Sequence, residues 1–168
     1  MSADRRGAAA VEMALVLPFF MALLFGSIEL GNYFWNEHVL AKGMRNGAVF
    51  ASRLPIDNFD CSTGTPTLAG TVADQIKQVV ATGEVSGGSP RLPRWSEVTF
   101  AVNLACVTQV GPTDGRTTLS GIYTLNGGKI PVLTISASVP YRSLLSTLGL
   151  ANPSLHLNAT QEAAVVGA

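Results

Sequence analysis

The chain has 168 residues, a formal net charge of zero, 47% hydrophobic residues and 13% charged residues. The charged fraction is about half that of a typical soluble domain, so part of the chain is expected to lie outside water. The balanced charge gives no reason to expect nucleic acid or a strongly acidic partner, and the length suits one ordinary domain or a smaller domain joined to an anchor.

The apolar excess lies at the front. Ala8 to Ile28 is a run of 21 residues in which Glu12 is the only charge. As a helix this run spans about 31 Å, close to the thickness of one hydrocarbon core. Arg5 and Arg6 precede it; Glu29 follows it, then Tyr33 and Trp35. Two arginines at the short end favour keeping that end in the cytoplasm, and the aromatic pair suits the opposite interface. Lys42, Arg45 and Arg53 fall on the translocated side, but well beyond the span. An ordinary cleaved secretory signal fits poorly. Its apolar core is about 7–15 residues long and ends at a small-residue site, whereas no A-x-A occurs between residues 20 and 35.

The helical pattern continues past the apolar run. Glu29 to Arg53 contains no proline and keeps a stripe of Leu40, Met44, Ala48 and Ala51. Pro55 ends it. The spacing predicts one helix from Ala8 to Arg53, roughly 68 Å long, with a membrane-spanning first half over 8–28 and an amphipathic second half. Pro18 removes one backbone hydrogen bond inside the first half and is expected to kink or loosen the helix there. Gly43 and Gly47 form a GxxxG spacing, a close-approach pattern in membrane helices. Here it falls beyond the bilayer and is read as packing against the chain's own globular part.

Residues 54–67 (LPIDNFDCSTGTPT) are turn-rich. Residues 68–82 place Leu68, Val72, Ile76, Val79 and Val80 on one face and predict a short amphipathic helix. Residues 83–93 read as a connector. Residues 97–110 alternate Val98, Phe100, Val102, Leu104 and Cys106, a strand pattern that GPTDG then breaks. Two further strands, 117–125 and 129–139, flank Asn126-Gly127-Gly128, a hairpin signal. Pro131 argues for an edge or strand-start position. Residues 140–153 form a connection with a helical turn, and 155–166 read as the last strand, with Leu155 and Leu157 on one face. The expected fold class is therefore α+β. A long N-terminal helix packs on a small antiparallel sheet domain, 54–168, with one short extra helix.

The two cysteines, Cys61 and Cys106, both lie beyond the apolar run. On the translocated side they face an oxidising compartment, which predicts a disulfide; the alternative is two buried free thiols. A bridge would close a loop of about 45 residues and contribute roughly 4 kcal/mol in the chain-entropy account.

No catalytic constellation emerges. HExxH, GxSxG, a P-loop and GxGxxG are all missing from the sequence. His38 sits among Asn36, Glu37 and Val39 and reads as a solvated helix residue. His156 alternates with Leu155 and Leu157 and should face the other side of its strand. Asp57, Asp60 and Asp114 lack EF-hand spacing and are better explained by turn chemistry. Asn158-Ala159-Thr160 matches a glycosylation triplet, a weak pattern. The expectation is a chain that is not an enzyme, with no cofactor, no metal and no small-molecule substrate. The informative residue is Glu12. A carboxylate within a membrane helix asks for a named partner, unless it simply snorkels to the headgroups.

RRGAAAVEMALVLP resembles the class III signal of type IV pilins and pseudopilins. RRGAAAVEMALVLPFFMALLFGSIELGNYF followed by AKGMRNGAVFASR is similar to the TadE-like minor pseudopilins of the tight-adherence (Tad, or Flp) pilus. VLTISASVPYRSLLSTLGL and LHLNATQEAAV look like the same family at lower specificity. The resemblance implies a pilin-like fold and a leader, residues 1–7, that a prepilin peptidase removes between Gly7 and Ala8. Glu12 then becomes the fifth residue of the mature chain. It implies that the new Ala8 amine and Glu12 form the charge pair that docks one subunit into a growing helical bundle. Implied partners are the inner membrane, the peptidase and other pilins and pseudopilins of the Tad system. The implied location is the bacterial inner membrane, with the C-terminal domain periplasmic, or the extracellular pilus. The implied role is pilus assembly, adhesion and surface attachment. Tad-type processing motifs usually carry an aromatic after the glutamate, where Met13 stands here. That departure keeps a second expectation: an uncleaved, single-pass anchored assembly factor of the Tad secretion machinery.

Overall fold

In a computed structural model of the chain, which describes residues 6–62, 65–108, 123, 126–149 and 155–167, helix α1 runs unbroken from Arg6 to Ser52. Its 47 residues make a rod of about 70 Å. The helix continues through Pro18. The rod has two characters. Every residue from Gly7 to Ile28 is exposed. Beyond Glu29 a buried stripe appears at Leu40, Gly43, Met44, Gly47, Ala48 and Ala51, the three- and four-residue spacing of one helix face. Turn hydrogen bonds from Arg53 N to Phe50 O and from Leu54 N to Ala51 O close the helix, and Pro55 prevents its continuation.

Strand β1, Phe59–Asp60, pairs antiparallel with β2, Thr67–Leu68. This ladder shortens the helix expected over 68–82. Helix α2 spans Val72–Thr82, because Leu68 is committed to pairing with Phe59. The expected apolar face is otherwise present, with Val72, Ile76, Val79 and Val80 buried. Gly83 ends α2 at φ 86° and donates its amide to Val79 O at 2.8 Å, a left-handed cap that glycine adopts without a Cβ penalty.

The main sheet has three antiparallel strands in the order β3-β4-β5: Thr99–Thr108, Lys129–Pro140 and His156–Ala164. β3 starts later than the expected residue 97. Glu97 instead belongs to a 3-10 turn, and its carboxylate is gripped by both Nε and Nη2 of Arg94, at 2.9 and 2.6 Å. β4 lies at the centre, so Pro131 is not on an edge strand; it is the third residue of β4 and opposite Cys106. It has no N–H to donate, yet its carbonyl accepts the Val165 amide at 2.9 Å. Gly127 and Gly128 lead into β4 at φ 64° and 74°, but most of the expected strand 117–125 lies outside the described residues, as do GPTDG and Asp114. The expected turn after β4 is a 3-10 segment, Leu145–Leu148.

One face of the sheet covers α1. Leu133, Ile135, Ala137 and Val139 of β4 and Leu157 of β5 join Leu40, Met44, Ala48 and Ala51 of α1 in one core. α2 adds Val72, Ile76 and Val80 to it. Gly43 and Gly47 permit this close approach. A Cβ at Gly43 would meet the Val80 carbonyl oxygen at 2.5 Å, and one at Gly47 would collide with a Val80 methyl. The GxxxG pair thus serves packing within the chain. The Val166 amide, donating to Ser52 O at 2.9 Å, ties the end of the chain to the end of α1.

Candidate assembly surface

The first half of α1, Gly7 to Ile28, is exposed throughout among the described residues. Its 18-residue apolar window has a mean hydropathy of 2.2, and none of that window is buried. Among the described residues this is the one helix long and apolar enough to cross a membrane. Gly7 and Ala8 stand in its first turns, with open space where a Gly7 Cβ would be. Glu12 is exposed, between Val11 and Met13 at 62% and 65% exposure. Residues three, four and seven positions on are neighbours on a helix face, which for Glu12 means Leu15, Val16 and Phe19. Ala8 is one turn before it. Among the described residues, the carboxylate therefore stands on an exposed apolar surface. By length and composition such a surface is suited to lipid.

At the other end of that surface the helix is fastened to the globular part. The Glu29 carboxylate accepts the Leu144 and Leu145 amides at 3.0 and 3.2 Å. Tyr141 lies edge-on to Tyr33, with ring centroids 5.1 Å apart. Its hydroxyl accepts a hydrogen bond from Asn32 Nδ2 at 2.7 Å and donates to Glu29 O at 3.3 Å. Burial acts to raise the Glu29 carboxyl, but hydrogen bonds from the Ser143 and Tyr141 side chains and from the Leu145 and Leu144 amides hold it below the ordinary 4.5. Burial is also the main cause that pushes the Tyr141 phenol up, so it stays a protonated donor. Sequence reasoning missed this junction. Glu29 and Leu144 are separated by 115 residues, and no local spacing signals that they meet.

Cys61 and Cys106 are joined in a disulfide, with Cα atoms 5.7 Å apart. The bridge ties the segment after β1 to β3. The same segment is held to the start of β4 by Lys129 Nζ donating to Cys61 O at 3.1 Å, and by the Cys61 amide donating to Asn126 Oδ1 at 3.2 Å. The residues considered for chemistry stay apart. His38 and His156 are exposed, on α1 and β5. Asp60 accepts the Ser62 amide and hydroxyl at 2.8 and 2.6 Å, an Asx turn. Among the described residues no three His, Cys, Asp or Glu side chains gather as metal ligands.

Comparison with known proteins places the match on the surface just described. The family described as TadE-like protein matches residues 7–49. No curated protein and no solved structure matches the chain. The matched stretch takes in the exposed half of α1 with Glu12, the fastening point at Glu29, and the Gly43–Gly47 contact. Over residues 7–49, then, the chain is similar to the family described as TadE-like protein, the one its opening residues resemble.

Proposed function

We propose that the chain is a minor pseudopilin of the Tad system: a structural and assembly component that a prepilin peptidase cuts between Gly7 and Ala8. One observation supports this most directly. The family match, residues 7–49, covers a helix whose first half, with Glu12 as its only charge over 8–28, is exposed throughout among the described residues. A helix held by lipid before assembly and by other helices afterwards needs such a surface. In hydrocarbon an unpaired carboxylate is costly. Pairing it with the amine that cleavage creates on Ala8 of a neighbouring subunit offsets that cost and selects one axial register. Apolar faces alone select register poorly, because lipid competes well for them. In this reading the globular part is periplasmic or displayed on the pilus, where it serves pilus biogenesis, adhesion and surface attachment. The chain itself catalyses nothing and needs no cofactor; the peptidase acts on it.

The test is the N-terminus of the protein from native membranes. Mass analysis is expected to find Ala8 in a peptidase-positive host and uncut chain when the peptidase is deleted. Uncut chain in both hosts would replace this reading with the second one, a permanently anchored assembly factor of the same machinery. Met13, in the place of the usual aromatic, is the observation that favours that alternative.

A further inference from the structure

Below the sheet, α1 and the segment after β4 enclose an open groove of about 360 Å³ lined by Gly26, Leu30, Tyr33, Tyr141, Leu145 and Leu155, and by Glu29, whose carboxylate is taken up by the Leu144 and Leu145 amides. Its position along α1 matters. The membrane run ends at Ile28, while the fastening contacts to Tyr141, Leu144 and Leu145 fall at Glu29, Asn32 and Tyr33. Less than one helical turn separates the last apolar residue of the span from the first contact with the globular part. No spacer lifts that part off the bilayer.

Several large exposed side chains at this level are apolar. Leu30, Phe34 and Trp35 on α1 are 55%, 57% and 69% exposed, and Leu144 and Leu155 on the globular part are 47% and 56% exposed. Farther along α1, the next large apolar side chain exposed among the described residues is Val49. Arg142, on the same turn, is exposed as well, and a guanidinium at headgroup level suits a lipid phosphate. Tyr and Trp favour this boundary, where one end of the ring system is apolar and the other wet.

From this continuity between the lipid-facing helix and the groove, we infer that the underside of the globular part, the 141–149 segment with Leu155, is immersed in the headgroup boundary of the bilayer, and that the groove holds a phospholipid acyl chain. The inference rests on residues 8–28 spanning a membrane. The bilayer then holds the subunit at two places, the span and the underside. Withdrawal of the subunit from the membrane would have to empty the groove.

Tryptophan quenching by brominated phosphatidylcholine tests this with the full chain in vesicles. Trp35→Phe and Trp95→Phe remove the native fluorophores, and a single reporter is added by Leu155→Trp, with Leu144→Trp as a second position. Both sites are exposed, and circular dichroism checks that each variant is folded. Phe20→Trp in the same background reports on the span. Brominated lipid is expected to quench Phe20→Trp and both underside reporters, without dependence on the protein-to-lipid ratio. Filling the groove by Gly26→Leu is expected to reduce quenching of Leu155→Trp and leave Phe20→Trp unchanged. Quenching of Phe20→Trp with none at residues 144 and 155 would overturn the inference alone. No quenching of Phe20→Trp would overturn the membrane reading beneath it. Underside quenching that fades as the protein-to-lipid ratio rises would assign the groove to a second copy of the chain and overturn the lipid assignment.

Discussion

Glu12 and Glu29 are carboxylates on the same helix with different tasks. Glu12 is exposed on the half of α1 outside the core, so its removal should not unfold the globular part. Glu12→Gln is therefore expected to leave protein abundance and melting temperature unchanged while lowering the number of pili per cell counted by electron microscopy. Wild-type piliation would remove the proposed docking role. Glu29 does meet the fold. Its carboxylate receives the Leu144 and Leu145 amides, and those bonds are strongest when it is ionised. Its folded-state value is lowered from 4.5, so its contribution is complete above the unfolded value and is lost as pH falls through the lower folded value. An NMR titration of the Leu144 and Leu145 amides should show a midpoint below 4.5. Glu29→Gln should abolish that step. A midpoint at or above the ordinary value would contradict the geometry. The glycines give a third comparison. Gly43→Ala drives a methyl into the Val80 carbonyl oxygen, and overpacking of this kind costs about 1–3 kcal/mol. Gly31 has nothing within 4 Å of its would-be Cβ, so Gly31→Ala should be neutral or stabilising by up to about 1 kcal/mol. Thermal melts in detergent distinguish the two.

At the scale of elements, the disulfide is the link with the largest expected stake. β1 and β2 are two residues each, too short to persist as an isolated pair. Cys61–Cys106 fastens the segment after β1 to β3. Loss of a native bridge in a small domain costs about 2–5 kcal/mol. Cys61→Ser with Cys106→Ser should lower the melting temperature, and reductant should lower that of the native chain but not of the variant. The element boundaries also show where local pattern loses to pairing. Residues 68–82 carry a helical face, but the first part yields to the β1–β2 ladder. Glu97 lies in a strand-like pattern, but Arg94 holds it in a turn. Pro131 argues locally for an edge or a strand start; β4 is central, and the strand start is the alternative that holds, with the carbonyl still partnered. The helix–strand alternation was readable because burial on one face imposes period 3.6 or period 2. The ends were not, because they depend on which other segment arrives.

For the whole molecule, the division that matters runs through the middle of α1. Among the described residues, 7–28 are all exposed, whereas Leu40, Met44, Ala48 and Ala51 belong to the core. A chain beginning at Glu29 is expected to fold and melt cooperatively without detergent, because all of the core is retained. A chain beginning at Leu54 should lack cooperative melting, since Leu133, Ile135 and Val139 would lose the helix that covers them. Failure of the first or success of the second would show that the core is organised differently.

The sequence by itself determined the membrane-length helix, its lone carboxylate, the α+β class and the TadE-like resemblance. Each of these is written in neighbouring residues, through composition, period or a contiguous motif. Even the GxxxG pair could be assigned to internal packing from its distance past the apolar run. Only the tertiary structure decided that β4 is central, that Val80 is what Gly43 and Gly47 accommodate, and that Glu29 fastens the 141–149 segment at the end of the domain next to the apolar half of α1. The physical reason is separation. Those contacts join residues far apart in sequence, and they form because the sheet, once covered by α1, brings the segment after β4 to the turn that follows the apolar run.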